Sequence, residues 1–128
     1  MDQKFGPDTI GTIMSSGKSV GAVLMAVMVD QKRVEYGDFI CKHWPEFALN
    51  EKDKLKIEDV MRHESGLHKL HKIVHPSQML TENLKRNQIG EIIEQDTQVY
   101  AKGFKRSYHT MTRDLISNEI FRRASENG

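Results

Sequence analysis

Residues 20–29, VGAVLMAVMV, are ten consecutive apolar or small positions, and they stand directly behind Ser15-Ser16-Gly17-Lys18-Ser19. The run reads as the body of a helix that begins near Ser15 or Ser16, because serine satisfies free amide groups at a helix start, and that continues to about Lys32. Its apolar side chains occupy every face, not one stripe. A helix apolar all round has to be covered on all sides, so whatever else the chain builds has to enclose this segment. The run is about half of the ~20 residues that a bilayer span needs. A buried helix in a soluble chain, with no membrane partner, is therefore the expectation.

The remaining composition sets limits. A chain of 128 residues suits a single domain. Its 19 basic and 18 acidic residues leave a net charge of +1, too little field to recruit nucleic acid or an anionic membrane. Cys41 is alone and cannot form an internal disulfide. The N-terminus, Met1 to Pro7, lacks the basic-then-apolar layout of a secretion signal, so a cytoplasmic location is expected.

The rest of the pattern is mainly α. Gly6-Pro7-Asp8 marks a turn in an irregular stretch over residues 1–14. Residues 33–50 read as a linker carrying Tyr36, Phe39, Trp44 and Phe47. A short helix fits residues 57–63, with Ile57, Val60 and Met61 on one face, and Ser65-Gly66 should end it, glycine being the usual left-handed residue there. Pro76 suits the first turn of a helix running to about Arg86. Residues 88–95 suit one more, and a last helix over about 110–124 should turn Met111, Leu115, Ile116 and Ile120 inward.

Chemistry enters through Ser15 and Lys18. A neutral hydroxyl is a poor nucleophile without a base in reach, and helix positions three apart are neighbours. Burial against the apolar run would disfavour the ammonium form of Lys18 and suit it to accept a proton. The helix N-terminus favours a developing oxyanion. Taken alone, Ser-x-x-Lys arises often by chance, and a capping serine beside a solvated lysine is the better reading of those four residues.

Three ordered blocks add weight. The run from Pro7 to residue 29, the pair of segments His43-Trp44-Pro45-Glu46-Phe47 and residues 57–67 ending His63-Glu64-Ser65-Gly66-Leu67, and Tyr108-His109-Thr110-Met111-Thr112 together resemble the serine β-lactamase-like superfamily, which includes class C β-lactamases, penicillin-binding proteins and related esterases. The resemblance covers about residues 7–67 and 104–124. It implies Ser15 as nucleophile, Lys18 as its activator and proton relay, Tyr108 as a second acid/base, and Thr110 as a weaker substrate-binding candidate where the family often has Asn or Ser. It implies hydrolysis of a small ester or amide through an acyl-serine, with no cofactor and no metal. The family's third motif, a Lys- or His-led triplet ending in Gly on a strand, is not found after Tyr108, nor are the strands that precede the serine helix. The resemblance thus implies a single partial domain over 1–128, the active-site helix plus the helical subdomain of the α/β fold with most of the sheet missing, truncated at both ends. A second copy or a partner chain would then cover the apolar helix. The alternative is a non-catalytic helical fragment or interaction module.

Two further patterns weigh less. Gly17-Lys18-Ser19 hints at a phosphate loop, but the first glycine belongs at position 12, which is Thr. His63, His68, His71 and His75 are histidine-rich; were residues 68–75 helical, three of them would share a face and could hold a metal. No acidic or Cys ligand completes a known spacing, and exposed polar histidines are the better reading. The basic group Lys102, Lys105 and Arg106 reads as a solvated loop.

Overall fold

The computed structural model of the chain describes residues 5–72 and 74–126. The early turn is as expected, the Thr9 N–H donating to the Gly6 carbonyl at 3.0 Å. A 3-10 turn, Met14–Gly17, leads into helix α1, Lys18–Asp30. Neither early serine caps α1 with its side chain; the Lys18 N–H already bonds the Ser15 and Ser16 carbonyls of the tight turn. The apolar run is covered on one face only. Met25 and Met28 are buried, whereas Val20 and Val23 keep 66% and 64% of their surface exposed.

The linker expected over residues 33–50 contains two short helical turns: α2, Ile40–His43, and a 3-10 turn, Pro45–Ala48. Pro45 starts the second turn because it needs no amide hydrogen there. These turns carry Ile40, Trp44 and Phe47 into the core, the two aromatic rings 5.2 Å apart. An isolated antiparallel bridge joins Phe39 to Lys56, and no sheet forms among the described residues.

Helix α3, Ile57–Met61, buries Ile57 and Val60 as the spacing predicts. It ends earlier than Ser65-Gly66. His63 takes the left-handed conformation at φ 64°, the Glu64 N–H returning to the Asp59 carbonyl at 2.7 Å and the His63 N–H to that of Val60 at 3.0 Å. Glycine usually fills that position because a Cβ there costs about 1–2 kcal/mol. Gly66 uses its own positive φ of 77° for a close approach: a Cβ would lie 2.2 Å from the Tyr100 carbonyl oxygen.

The helix expected from Pro76 to Arg86 is two pieces, a 3-10 turn, Pro76–Met79, and α4, Thr81–Lys85, separated by Leu80 in extended backbone. Helix α5 spans Gln88–Gln95, and α6 spans Thr112–Glu126. On α6, Ile116 and Ile120 face the core with Trp44, Phe47, Leu55 and Ile93. Met111 does not turn inward; it precedes the helix, is 51% exposed, and lends its carbonyl to the Asp114 and Leu115 amides.

A charge sits inside this assembly. Lys52 is fully buried, and its ammonium donates to the carbonyls of Leu49 at 2.7 Å, Glu94 at 2.9 Å and Asp96 at 2.5 Å. Three donors meet three acceptors, so the last carbonyls of α5 are satisfied and tied to the loop after the Pro45 turn. Burial pulls the Lys52 pKa down from its usual value, against the opposing charges of Asp96 and Glu94. Removing the ammonium leaves buried carbonyls unpaired, so Lys52→Met should destabilise the chain by about 2–4 kcal/mol, read from urea unfolding. A loss below about 0.5 kcal/mol, the range of an ordinary surface change, would show that water replaces the amine there.

Candidate active site

Ser15 lies in the exposed 3-10 turn ahead of α1. The residue before it, Met14, has φ 48°, an uncommon conformation for a residue other than glycine. Lys18 is the first residue of α1, and its side chain is only 12% exposed. Its Nζ donates to the Thr110 carbonyl at 2.6 Å and pairs with Asp114 Oδ2 at 3.0 Å. The same Nζ lies 5.3 Å from the centroid of the Tyr108 ring. Lys18 and Tyr108, 90 positions apart in the chain, are thus neighbours. Among the described residues, the polar contacts of Nζ do not include Ser15 Oγ.

The setting of Lys18 differs from the apolar one expected. Its amine lies between a carbonyl and a carboxylate. Asp114 occupies the first turn of α6, where a negative charge suits the helix dipole. Arg113 Nη1 stands 3.5 Å from Asp114 Oδ1 and also donates to the Lys18 carbonyl at 3.2 Å. Thr110 contributes its main-chain oxygen to Lys18.

Backbone pairing places Tyr108. The Ser107 N–H donates to the His63 carbonyl at 3.0 Å, the Gly103 N–H to Glu64 at 3.2 Å, and the Val99 N–H to Gly66 at 2.9 Å. The segment before α6 is strapped along the end of α3, which is why Gly66 must admit the Tyr100 carbonyl so closely. Tyr108 is 53% exposed, and its ring lies 5.0 Å from that of His63.

Beside Tyr108 is a histidine layer in which His109 is buried and His63 half-buried. His63 Nδ1 accepts from the His109 N–H at 3.0 Å. His109 is fully buried; its Nδ1 lies 2.6 Å from the Ser107 carbonyl and its Nε2 2.7 Å from Ser65 Oγ. A carbonyl only accepts, so Nδ1 carries the proton and the neutral ring accepts from Ser65 at Nε2. Burial pushes His109 down to about 4, opposed next by the Ser107 carbonyl, which pulls it up, and aided to a lesser degree by the neighbouring His63 and His68. His63 is also lowered, first by burial and then by the charges of Arg113 and Lys18.

The histidine face imagined over residues 68–75 does not form. The described part of that stretch is irregular, His71 Nδ1 pairs with Asp96, and His75 Nδ1 meets Ser77 Oγ at 2.8 Å. Among the described residues no group of three or more His, Cys, Asp or Glu is arranged to hold a metal. The basic loop is paired: Arg106 to Glu64 at 2.7 Å, and Lys102 to Asp59 at 3.4 Å.

Asp114, Arg113, His63, His109 and Ser65 are the neighbours that sequence reasoning did not assign to the site. The only signal for Asp114 was an acid in the first turn of a helix following the tyrosine block, which is common.

This arrangement sits in a recognisable frame. The beta-lactamase family model matches residues 2–128, and the chain belongs to that family. Among its relatives is the esterase/beta-lactamase LipL of Mycobacterium tuberculosis (strain ATCC 25618 / H37Rv), 32% identical over 60 residues, which make up 47% of this chain and 14% of LipL. A crystal structure of a penicillin-binding protein homolog from Caulobacter crescentus matches with a TM-score of 0.83 and 30% identity, over 95% of this chain and 32% of that one. A family VIII carboxylesterase shares the fold at a TM-score of 0.78 and 20% identity, over 89% of this chain and 30% of its own. The chain therefore spans about a third or less of these relatives. Its helices correspond to part of the beta-lactamase-like fold. No helix among the described residues is long and apolar enough to cross a membrane.

The histidine layer gives a pH test. His109 is held at about 4 in the fold, against about 6.5 in an unfolded chain. Below about pH 6.5 the unfolded chain binds a proton that the folded one refuses. Stability present above that pH should therefore fall as pH drops toward about 4, with His63 acting in the same direction. Denaturant midpoints measured across this window should decline, and His109→Gln should reduce the slope while lowering stability at neutral pH. An unchanged slope in that variant would place the titration elsewhere.

Proposed function

We propose that the chain carries the nucleophile and proton-transfer residues of a serine hydrolase that cleaves a small ester or amide. Ser15 Oγ attacks the substrate carbonyl, forming a tetrahedral oxyanion. Lys18 and Tyr108 share the proton: one takes it from the hydroxyl on attack, and the other gives it to the leaving oxygen or nitrogen as the carbonyl re-forms on Ser15. Water then releases the acyl group by the reverse traffic. The observation that carries this reading is the position of Lys18 Nζ, 2.6 Å from the Thr110 carbonyl and 5.3 Å from the Tyr108 ring, while its backbone stands one turn from Ser15. Family membership and the esterase and penicillin-binding-protein likenesses support the same chemistry.

One observation favours a second reading. Lys18 is engaged by Thr110 and Asp114, a clasp that would hold α1 to α6 with no acyl transfer, as in a non-catalytic helical module.

The two separate on one experiment. The folded chain is treated with a fluorophosphonate or a β-lactam and analysed by mass spectrometry. A single adduct on Ser15, absent in Ser15→Ala and formed about 10²-fold or more slowly in Lys18→Met and Tyr108→Phe, is the expected result. No adduct on a chain that circular dichroism shows to be folded would leave only the clasp.

A further inference from the structure

Between His68, Leu70, Lys72 and Val74 on one side and the start of α6 on the other lies a cavity of about 310 Å³. Leu70, Val74, Met111 and Leu115 make its apolar walls. That volume is at the lower end of ligand-binding pockets and has room for about ten water-sized groups. The polar groups on its lining belong to His68, Lys72, Thr110 and Thr112, and no carboxylate is among the described lining residues.

The charge on the described lining of this cavity has one sign. Lys72 is exposed and makes no ion pair with any described residue. Its other side borders a groove containing Glu91 and Glu94, both beyond ion-pair distance of it. Lys69 and Lys105 stand close enough to His68 to add to the burial that lowers its pKa. Two lining residues also hold unused hydrogen-bonding capacity: His68 Nδ1 and Thr112 Oγ1 are buried without partners. An apolar pocket with a positive rim favours a ligand with a hydrocarbon body and an anionic end, the body leaving water and the anion meeting a lysine.

We propose that this cavity binds an aliphatic carboxylate of about eight carbons, its chain against Leu70, Val74, Met111 and Leu115 and its carboxylate at Lys72. The binding goes beyond the hydrolase reading and does not rest on it. Thr110 links the two places, since its carbonyl accepts from Lys18 while the residue lines the cavity.

Octanoate is the probe, titrated into the isotope-labelled chain and followed through the methyl resonances of Leu70, Val74, Met111 and Leu115. Saturable one-to-one shifts at these methyls are expected. Lys72→Glu should weaken octanoate about fivefold or more, and octan-1-ol, with the same chain and no charge, should bind weaker by a similar factor. Val74→Trp should fill the cavity and weaken binding about tenfold. Octanoate binding should persist in Ser15→Ala, so its outcome is separate from that of the adduct experiment. The proposal is overturned if no saturable shift develops by about 10 mM in a folded sample, or if Lys72→Glu or the alcohol binds as tightly as the parent pair.

Discussion

The structure turns on the amine of Lys18. It leaves the first turn of α1, crosses to the chain just before α6, and ends between the Thr110 carbonyl and the Asp114 carboxylate. Arg113 closes the arrangement from the opposite side by donating back to the Lys18 carbonyl. Two helices more than eighty residues apart in sequence are thereby fixed at their starts, and Tyr108 is held beside the junction. A partly exposed ion pair alone contributes little to stability. Here it is joined by a short hydrogen bond from a nearly buried ammonium, and charge-assisted bonds of that kind are the stronger ones.

The junction also depends on what lies below it. His63 accepts a left-handed backbone where glycine would be cheaper, and its ring then receives the His109 amide and faces Tyr108. Strain of this kind is found where surrounding contacts over-determine a conformation. Ser65, His109 and the Ser107 carbonyl continue the chain of bonds, and Gly66 gives the room for it. The loop that delivers Tyr108 is therefore fastened at several points, although it contains no regular element. Lys52 ties other segments together by a different route, satisfying three carbonyls from inside the core.

Much of the helical frame was legible in the sequence. The helix of the apolar run, the helix start at Pro76, residues 88–95 and the Ile116–Ile120 pair each follow from local rules of periodicity and helix starts, whereas the short turns at Ile40 and Pro45 lie in a stretch that reads as linker. The uncovered face of α1 was not legible from the run itself, which reads as a helix enclosed on all sides, whereas Val20 and Val23 are exposed. What escaped was set by tertiary context. His63 could not be assigned the left-handed position while Gly66 stood three residues later. Pro76 began a helix correctly, but nothing local showed that Leu80 would interrupt it. Lys52 reads as a surface lysine until three carbonyls surround it. At the site, the nearness of Lys18 and Tyr108 followed from the resemblance of two distant blocks, whereas Asp114 and the histidine layer are visible only when the α1–α6 crossing and the α3 strap are in place.

The most direct measurement is of the junction itself, by nuclear Overhauser contacts in solution between the Lys18 side-chain methylenes and the Tyr108 ring protons. The account predicts clear contacts and ring-shifted Lys18 resonances in the intact chain. Lys18 resonances at random-coil positions, with no contact to Tyr108 in a folded sample, would contradict it.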